Sequence, residues 1–248
     1  MQPFERLRHL ARWADTDDTD LVEEAADCLG GFRDDPAGLV VACRRLVAHH
    51  PVNGRLWWLC ARALCAPDPA DAAAEACRLL RTDPTPTRLA EALPFPPEDP
   101  VLVLGAAEVV EATGAIRPDL HLLAVRGCGR PARVARPVSE AEGLASSPGH
   151  VLVGVHALGP DGAVVPAGAV GLARAAREVP APVWFVAGAG RTLPARLFDV
   201  LGARLGDEPA VDVVPLDVAD RVVGPKGPQH PRDAARRPDC PVAPELLR

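Results

Sequence analysis

The sequence predicts an α/β protein in which an all-helical N-terminal region precedes a Rossmann-like, mainly parallel sheet with helices on both faces. Three observations lead to this prediction. Apolar residues recur at three- and four-residue spacing over roughly the first ninety positions. A proline-rich run at 94–100 then interrupts any regular element. Beyond it, short apolar runs alternate with helical stretches, which is typical of βαβ units and therefore of a parallel sheet.

The N-terminal region is predicted to consist of short helices that prolines separate. Asp35 and Asp68 each precede a proline. An Asp carboxylate can cap a helix, and a proline at the first helical position loses no hydrogen bond that the helix would have made. We therefore expect residues 1–97 to form a helical domain and residues 98–248 to form the α/β domain.

The second region alternates between the two kinds of element. Strands are predicted at 101–104, 121–125, 151–154, 183–187 and 211–214, and helices at 106–116, 168–178 and 194–205. Segment 224–241 carries five prolines, so we expect it to be extended or loosely ordered. Ligands of such sheets bind beyond the carboxyl ends of the strands, which is where a site should be sought.

Composition excludes several classes of protein. A net charge of −6 and the lack of a Lys/Arg cluster argue against nucleic-acid binding, which depends on neutralising phosphates. No apolar run approaches the roughly eighteen residues of a membrane helix, and the first residues lack the apolar centre of a signal peptide. Seven cysteines without a CxxC pair favour free thiols over zinc ligands or disulfides. We expect a cytoplasmic protein without membrane, metal or cofactor.

The stretch 151–187 carries a resemblance to a known family. A strand ending in Val-Gly-Val leads to an Asp-Gly turn, a glycine at a helix start, an alanine-rich helix and a strand from Val183. This order resembles the initiation factor 2B alpha/beta/delta-like family, which includes methylthioribose-1-phosphate and ribose-1,5-bisphosphate isomerases. Pro51 before a helix containing leucine and tryptophan, Arg130-Pro131, and the closing Pro-Glu-Leu are similar to further family motifs. The resemblance implies a NagB/RpiA/CoA transferase-like fold and a homodimer formed through the α/β domain.

The residues that the resemblance assigns to isomerase chemistry are replaced. The family cysteine after the first strand corresponds to Gly105-Ala106-Ala107, and the aspartate after the 151–154 strand corresponds to His156. The family's Asn-Lys before a helix start is Pro166-Ala167, and its phosphate-binding arginine before Pro51 is His50. The span from 131 to 151 is about twenty residues shorter than the family implies, so we expect a missing or reduced crossover helix and a trimmed sheet.

Three residues remain as candidate catalytic groups. Cys128 lies between glycines and two arginines, which would favour its thiolate. His156 follows a strand and titrates near neutral pH, and Asp161 supplies a carboxylate in the next turn. Each has a structural alternative: an incidental cysteine, a hydrogen-bonded loop histidine and an ordinary Asp-Gly turn.

Candidate ligand-binding residues are those that meet the family's phosphate positions or strand ends, namely His50, Arg55, Arg130, Gly105 and Gly168. The turn 188–192, with two glycines after an apolar strand, is a further candidate for binding an anion through backbone N–H groups. It lacks the spacing of a dinucleotide or P-loop motif, and two glycines in such a turn are ordinary.

Together these features favour a non-catalytic or strongly diverged homologue of the initiation factor 2B/sugar-phosphate isomerase family, which acts by ligand binding or protein assembly. A phosphorylated small molecule is the expected ligand, if there is one. The alternative is an aldose-ketose isomerase on a sugar phosphate, with its catalytic residues relocated to Cys128, His156 or Asp161.

Overall fold

The computed structural model of the protein describes residues 5, 10, 18–97, 99–126, 132–179, 181–206 and 208–247. Five consecutive helices occupy the N-terminal region: α1 Asp18–Gly30, α2 Pro36–His49, α3 Gly54–Cys65, α4 Pro69–Arg81 and α5 Thr85–Ala92. The predicted caps are confirmed, because Oδ1 of Asp35 accepts from Gly38 N and Oδ1 of Asp68 accepts from Ala70 N, each at 2.8 Å.

The second region alternates as predicted, with extra short elements. Its strands are β1 Val101–Leu104, β2 Leu122–Val125, β3 Arg136–Val138, β4 His150–Gly154, β5 Ala157–Leu158, β6 Gly162–Pro166, β7 Val183–Val186, β8 Val211–Pro215, β9 Arg221–Gly224 and β10 Gly227–Gln229. Its helices are α6 Ala107–Ile116, α7 Glu140–Ala145, α8 Ala169–Ala176, α9 Ala195–Leu205 and α10 Pro231–Ala235, with 3-10 turns at Leu216–Val218 and Pro244–Leu247.

The main sheet has seven strands in the order β3-β2-β1-β4-β7-β9-β10, and it is parallel except for β10. The order reverses between β1 and β4, since β2 and β3 extend the sheet on one side and β4, β7 and β9 on the other. The predicted fold class is confirmed. Such a reversal leaves a crevice at the carboxyl ends of β1 and β4, which is the usual ligand position in open α/β sheets.

A second, antiparallel sheet of β5, β6 and β8 corrects the expectation that every predicted strand joins the parallel sheet. Val164 of β6 pairs with Val213 of β8. One face of β6 contributes Val164 to the core of the helical region, while the other contributes Ala163 and Val165 to the core of the main sheet. Both faces of β6 are therefore buried. The apolar run of β8 does not specify its partner, because strand pairing is a long-range property.

The reduced crossover helix is confirmed, because the short span between 131 and 151 holds the strand β3 and the helix α7 of only six residues. One further expectation needs correction. The proline-rich segment 224–241 is not loosely ordered, because it contains β10 and α10. Its prolines are compatible with this order. Pro228 lies on an edge strand, where a residue without an N–H can face the unpaired side, and Pro231 is the first residue of α10, where the helix needs no N–H.

The helical region and the α/β region share a hydrophobic core. Trp57 and Leu59 of α3 belong to the same buried cluster as Leu197 and Leu201 of α9 and Leu246 near the C-terminus. Helix α5 packs against α6 and β10, on the sheet side. The division of the chain at residue 97 therefore remains a proposal, because the segments on either side of it pack extensively on each other.

The C-terminal segment binds the outside of the helical region. The carbonyl of Asp239 accepts from Nε1 of Trp58 at 3.1 Å, and the carbonyl of Glu245 accepts from Nε of Arg44 at 2.8 Å. Leu246 is fully buried. The last nine described residues thus hold α2 and α3 in place.

No helix in the described ranges is long and apolar enough to cross a membrane.

We predict that Gly154→Ala destabilises the protein, whereas Gly171→Ala does not. A Cβ on Gly154 would lie 2.4 Å from the backbone nitrogen of Ala106, so β1 and β4 would have to separate. A Cβ on Gly171, within α8, meets nothing within 4 Å. We expect Gly154→Ala to lower the free energy of unfolding by about 1–3 kcal/mol and Gly171→Ala to raise it by about 0.5–1 kcal/mol.

Urea unfolding of the two variants measures both effects, and each is the same glycine-to-alanine change. Equal stabilities of Gly154→Ala and wild type would show that the β1 and β4 ends are not packed as described.

Candidate functional site

The crevice at the carboxyl ends of β1, β4 and β7 faces the start of α3. The N–H of Gly54, the first residue of α3, donates to the carbonyl of His156 at 3.2 Å. Asn53 caps this helix by accepting from Leu56 N at 3.1 Å. Since a Cβ on Gly54 would lie 2.3 Å from the carbonyl oxygen of His156, the two backbones are in direct contact. The helical region therefore closes one side of the crevice.

The position of the family's cysteine is a strained and covered turn. Gly105 and Ala106, directly after β1, have φ of 74° and 53°, both in the left-handed region. A Cβ on Gly105 would be 3.0 Å from Cγ of Pro166, which is itself buried at the end of β6. Pro166 thus packs over Gly105, and no functional side chain extends from the end of β1 into the crevice.

Arg55, a candidate phosphate ligand, is held by groups of the protein itself. Its Nη1 donates to Oε2 of Glu108 at 2.7 Å and to Oγ1 of Thr19 at 3.0 Å, and its Nε donates to the carbonyl of Ala189 at 3.2 Å. The Arg55 side chain is only 4% exposed, against 25% for Glu108. The network joins α1, α3, α6 and the turn after β7.

Glu108 completes this network from the first turn of α6. Its two carboxylate oxygens accept from Thr19, Oε1 from the backbone N–H at 3.0 Å and Oε2 from the hydroxyl at 2.8 Å. A carboxylate in the first turn is also favoured by the helix dipole. Arg55 and Glu108 form a hydrogen-bonded ion pair that lies largely out of solvent.

The turn 188–192 after β7 donates to a carboxylate of the same chain. Oδ2 of Asp83 accepts from Ala189 N at 2.8 Å, and Oδ1 of Asp83 accepts from Thr85 N and Oγ1 at 2.9 and 2.6 Å. Asp239 lies against the same turn, because its backbone N–H donates to the carbonyl of Thr192 at 3.0 Å. Gly190 has a φ of 77°, which a nest of backbone donors requires.

Burial and neighbouring charges act on the Asp239 carboxyl in opposite directions. Burial raises the pKa of the Asp239 carboxyl above its usual value, and the negative charge of Asp83 acts in the same direction. Lys226 and the N–H donors of Gly190 and Thr192 oppose this rise in pKa. The two carboxylates therefore lie close enough to repel each other across the turn.

A third carboxylate occupies the start of α8. Gly168, with a φ of 87°, donates its N–H to Oδ2 of Asp212 on β8 at 3.1 Å. This is the helix start at which the family resemblance places Asn-Lys, and the matching residues here are Pro166 and Ala167. Gly168 is exposed, and its role as a ligand-binding residue stays a prediction.

The remaining described candidates lie on different elements. His156 is half-buried at the end of β4, and its N–H donates to the carbonyl of Val164 at 2.8 Å. Asp161 is exposed at the tip of the β5–β6 hairpin. His50 is the C-cap of α2, and its Nε2 lies 3.0 Å from the carbonyl oxygen of Leu10. Cys128 and Arg130 lie outside the described residues, so their roles stay predictions.

The six described cysteines are free thiols, and four of them lie in settings that disfavour the thiolate. Burial raises the pKa of Cys65 and of Cys77, and it raises the pKa of Cys240 to about 12. The pKa of Cys43 is raised chiefly by its hydrogen bond with Cys60 and secondly by burial. None of these four is an activated nucleophile. Over the described ranges, no three His, Cys, Asp or Glu side chains are arranged to hold a metal ion.

Sequence reasoning missed the four carboxylates that fill the site: Asp83, Glu108, Asp212 and Asp239. One signal was available for Asp83, since an Asp before Pro84 and Thr85 at a helix start is a capping pattern. Asp212 lies 44 residues from Gly168, whose N–H it accepts from, and Asp239 lies 47 residues from Thr192, to whose carbonyl it donates, so no local pattern reveals either contact.

No protein-family model matches the sequence, and no curated protein matches it at a significant level. Solved structures do resemble it. The translation initiation factor eIF-2B of Pyrococcus horikoshii OT3 has 14% sequence identity and a TM-score of 0.77, with 94% of this chain and 98% of that chain covered. The 5-methylthioribose 1-phosphate isomerase of the same organism has 16% identity and a TM-score of 0.65, with 95% and 86% covered.

A eukaryotic structure shows the same likeness. The chain has 16% identity and a TM-score of 0.70 to a chain of the tetrameric eIF2B-beta2-delta2 complex of C. thermophilum, with 94% and 92% covered. At identities this low, the structural likeness shows a shared fold and nothing further. The resemblance read from the sequence is thus confirmed in three dimensions: this chain has the fold of translation initiation factor 2B subunits and of 5-methylthioribose 1-phosphate isomerase.

Proposed function

We propose that the protein is a non-catalytic homologue of the initiation factor 2B/sugar-phosphate isomerase family and acts by binding or assembly in the cytoplasm. The observation that carries this proposal is the Arg55–Glu108 ion pair. Three of the five N–H donors of this guanidinium already meet a carboxylate, a hydroxyl and a carbonyl, and Glu108 balances its charge, which weakens its attraction for a substrate phosphate.

Two further features of the crevice support the proposal. Proton transfer between neighbouring sugar carbons requires an acid and a base positioned around the substrate. At the end of β1, Gly105 and Ala106 offer no such group, and Pro166 covers them. At the end of β7, the N–H of Ala189 is already bound by Asp83.

The alternative, an isomerase with relocated residues, rests on His156. It lies at the carboxyl end of β4, beside the point where the strand order reverses, and is the one candidate acid–base side chain of the described residues at that position. Asp161, at the hairpin tip, is displaced from this edge.

We predict that the Arg55–Glu108 pair is a structural interaction with a large coupling energy. A double-mutant cycle with Arg55→Met and Glu108→Gln should give a coupling of about 1.5–3 kcal/mol in the free energy of unfolding, as for hydrogen bonds to charged groups. The matched control is Arg78–Glu75, a pair at 2.6 Å whose side chains are 60% and 41% exposed. Its coupling should be about 0.5 kcal/mol or less.

Urea unfolding of the four variants of each cycle supplies both values. Similar couplings for the two pairs would mean that Arg55 is not committed to Glu108, and the crevice would then retain a cation for a phosphate.

We predict that the purified protein does not convert methylthioribose 1-phosphate or ribose 1,5-bisphosphate into the ketose. Product formation is followed by ¹³C NMR, with the Pyrococcus horikoshii isomerase as the positive control for methylthioribose 1-phosphate. Turnover that His156→Ala abolishes while the variant stays folded would overturn the proposal and establish the isomerase alternative.

We predict a homodimer formed through the α/β domain; the tetrameric eIF2B-beta2-delta2 complex is an example of a similar chain within an oligomer. Light scattering after gel filtration should give twice the 26.1 kDa of one chain. Val213, 54% exposed on β8, and Val41, 42% exposed on α2, provide a matched pair of apolar surface residues. Val213→Asp should weaken the dimer more than Val41→Asp.

A monomer at all concentrations would contradict the proposed assembly. A dimer that Val41→Asp dissociates and Val213→Asp does not would place the interface on the helical region instead.

A further inference from the structure

We propose that the outer edge of strand β8 pairs with β8 of a second copy of this chain, so that two three-stranded sheets join into one six-stranded antiparallel sheet. Strand β8 is the last strand of the smaller sheet, which makes it an edge strand. The inference rests on the homodimer proposed above and specifies its central contact. It names the backbone groups that hold the two copies together.

Among the four sheet edges in the described part of the chain, β8 is the one that is long, apolar and open. The edge strand β3 has three residues, including a proline and the exposed Arg136, which pairs with Glu142. Helix α5 packs against the edge strand β10. On β5, Leu158 makes backbone hydrogen bonds of 2.8 Å with Arg191 and Leu193. Charges, prolines and covering segments protect an edge from further pairing, so the other three edges are protected.

The register of β8 turns the hydrogen-bonding groups of Val213 away from its own sheet. Val213 lies opposite Val164 of β6, and the carbonyl of Val164 accepts from the N–H of His156 on the β5 side. Since the residues of an antiparallel strand bond to alternate sides, Val164 and Val213 form a pair without mutual hydrogen bonds. The N–H and the carbonyl of Val213 therefore face the open edge, where no described group bonds to them.

A second copy of β8 matches this edge. When two β8 strands pair antiparallel about a two-fold axis at Val213, each Val213 N–H donates to the Val213 carbonyl of the other copy. In this register Val211 lies opposite Pro215, which lacks an N–H but is at the end of the strand. Asp212 lies opposite Val214, so no carboxylate meets another. Like charges directly opposite each other would destabilise the pair.

The side chains beside the edge are apolar and exposed. Val213 is 54% exposed, although Val164 opposite it is fully buried. Pairing covers each Val213 with its counterpart, and β-branched pairs stabilise antiparallel strands. Helix α8 packs beside β8, and its exposed Val170 extends the apolar surface. The edge therefore offers backbone hydrogen bonds and apolar area to the same partner.

Cross-linking tests the contact at the two-fold axis. In the full-length protein, Val213→Cys places a thiol of each copy opposite its counterpart. The Cα atoms of a hydrogen-bonded antiparallel pair lie about 5.5 Å apart, which is within the range of a disulfide. Val41→Cys, at an exposed valine of α2, is the matched control. After oxidation with diamide, non-reducing electrophoresis gives the rate of dimer linkage, and peptide mass spectrometry identifies the linked positions.

We expect Val213→Cys to form the linked dimer at least about tenfold faster than Val41→Cys, because pairing holds the two thiols at a high effective concentration. The link should join position 213 of both chains.

A second pair of variants tests the backbone bonds without a cross-link. Val213→Pro removes the N–H at an edge, where proline is tolerated, and Val213→Thr keeps both the N–H and the β-branched shape. Analytical ultracentrifugation should show that Val213→Pro raises the dissociation constant of the dimer at least about tenfold, because symmetry removes two hydrogen bonds. Val213→Thr should change it by about threefold or less. If Val213→Pro does not fold, the Val213→Cys link carries the test.

The outcomes separate this inference from the proposed homodimer. A dimer in which Val213→Cys links no faster than Val41→Cys would overturn the strand pairing alone. So would equal dissociation constants for folded Val213→Pro and Val213→Thr. A monomer at all concentrations would overturn both the strand pairing and the homodimer.

Discussion

The contact between the start of α3 and the carboxyl edge of the sheet is the constraint on which the rest of the site depends. Gly54 donates to the carbonyl of His156, and the next residue, Arg55, reaches Glu108 on α6 and the carbonyl of Ala189 after β7. One short piece of helix thereby contacts the ends of three sheet strands. Gly54 and Arg55 therefore face other parts of the chain.

The Arg55–Glu108 pair fixes the orientation of α3 on the sheet and adds only modestly to the stability of the fold. Removing two charges from water is costly, and the pair recovers that cost only because Thr19 and Ala189 satisfy the remaining donors and acceptors. An apolar pair of similar volume could pack there, but it would tolerate several orientations of α3 on the sheet. Directional hydrogen bonds from one guanidinium to three elements allow a single arrangement.

The fold was largely predictable because its determinants are local or periodic. The proline caps at Asp35 and Asp68 and the apolar runs at Val101–Leu104 and Val183–Val186 lie within a few residues of the elements that they specify. The antiparallel sheet was not predictable, because Val164 and Val213 pair across a separation of 49 residues. A periodic pattern indicates that a strand exists and leaves its neighbours open.

The sequence predicted which family residues are replaced at the site better than it predicted which side chains contact each other there. The sequence alone indicated that Gly105-Ala106-Ala107 and His156 replace the family's cysteine and aspartate, because each position lies at a fixed distance after a recognisable strand. That Arg55 would meet Glu108 was not, because 53 residues separate them and only the packing of α3 on the sheet brings them together. An arginine next to a family motif predicts a cation and does not predict its partner.

Backbone N–H groups at the ends of strands and helices must be satisfied whether or not a substrate is present. In an enzyme of this architecture, water and phosphate can fulfil this requirement, so the donors remain available to a ligand. Here Asp83 and Asp212 fulfil it from within the chain, at the N–H groups of Ala189 and Gly168. A carboxylate of the chain therefore takes the place that water or an external anion would take at the same donors, and it stabilises the fold because neither donor is left unpaired.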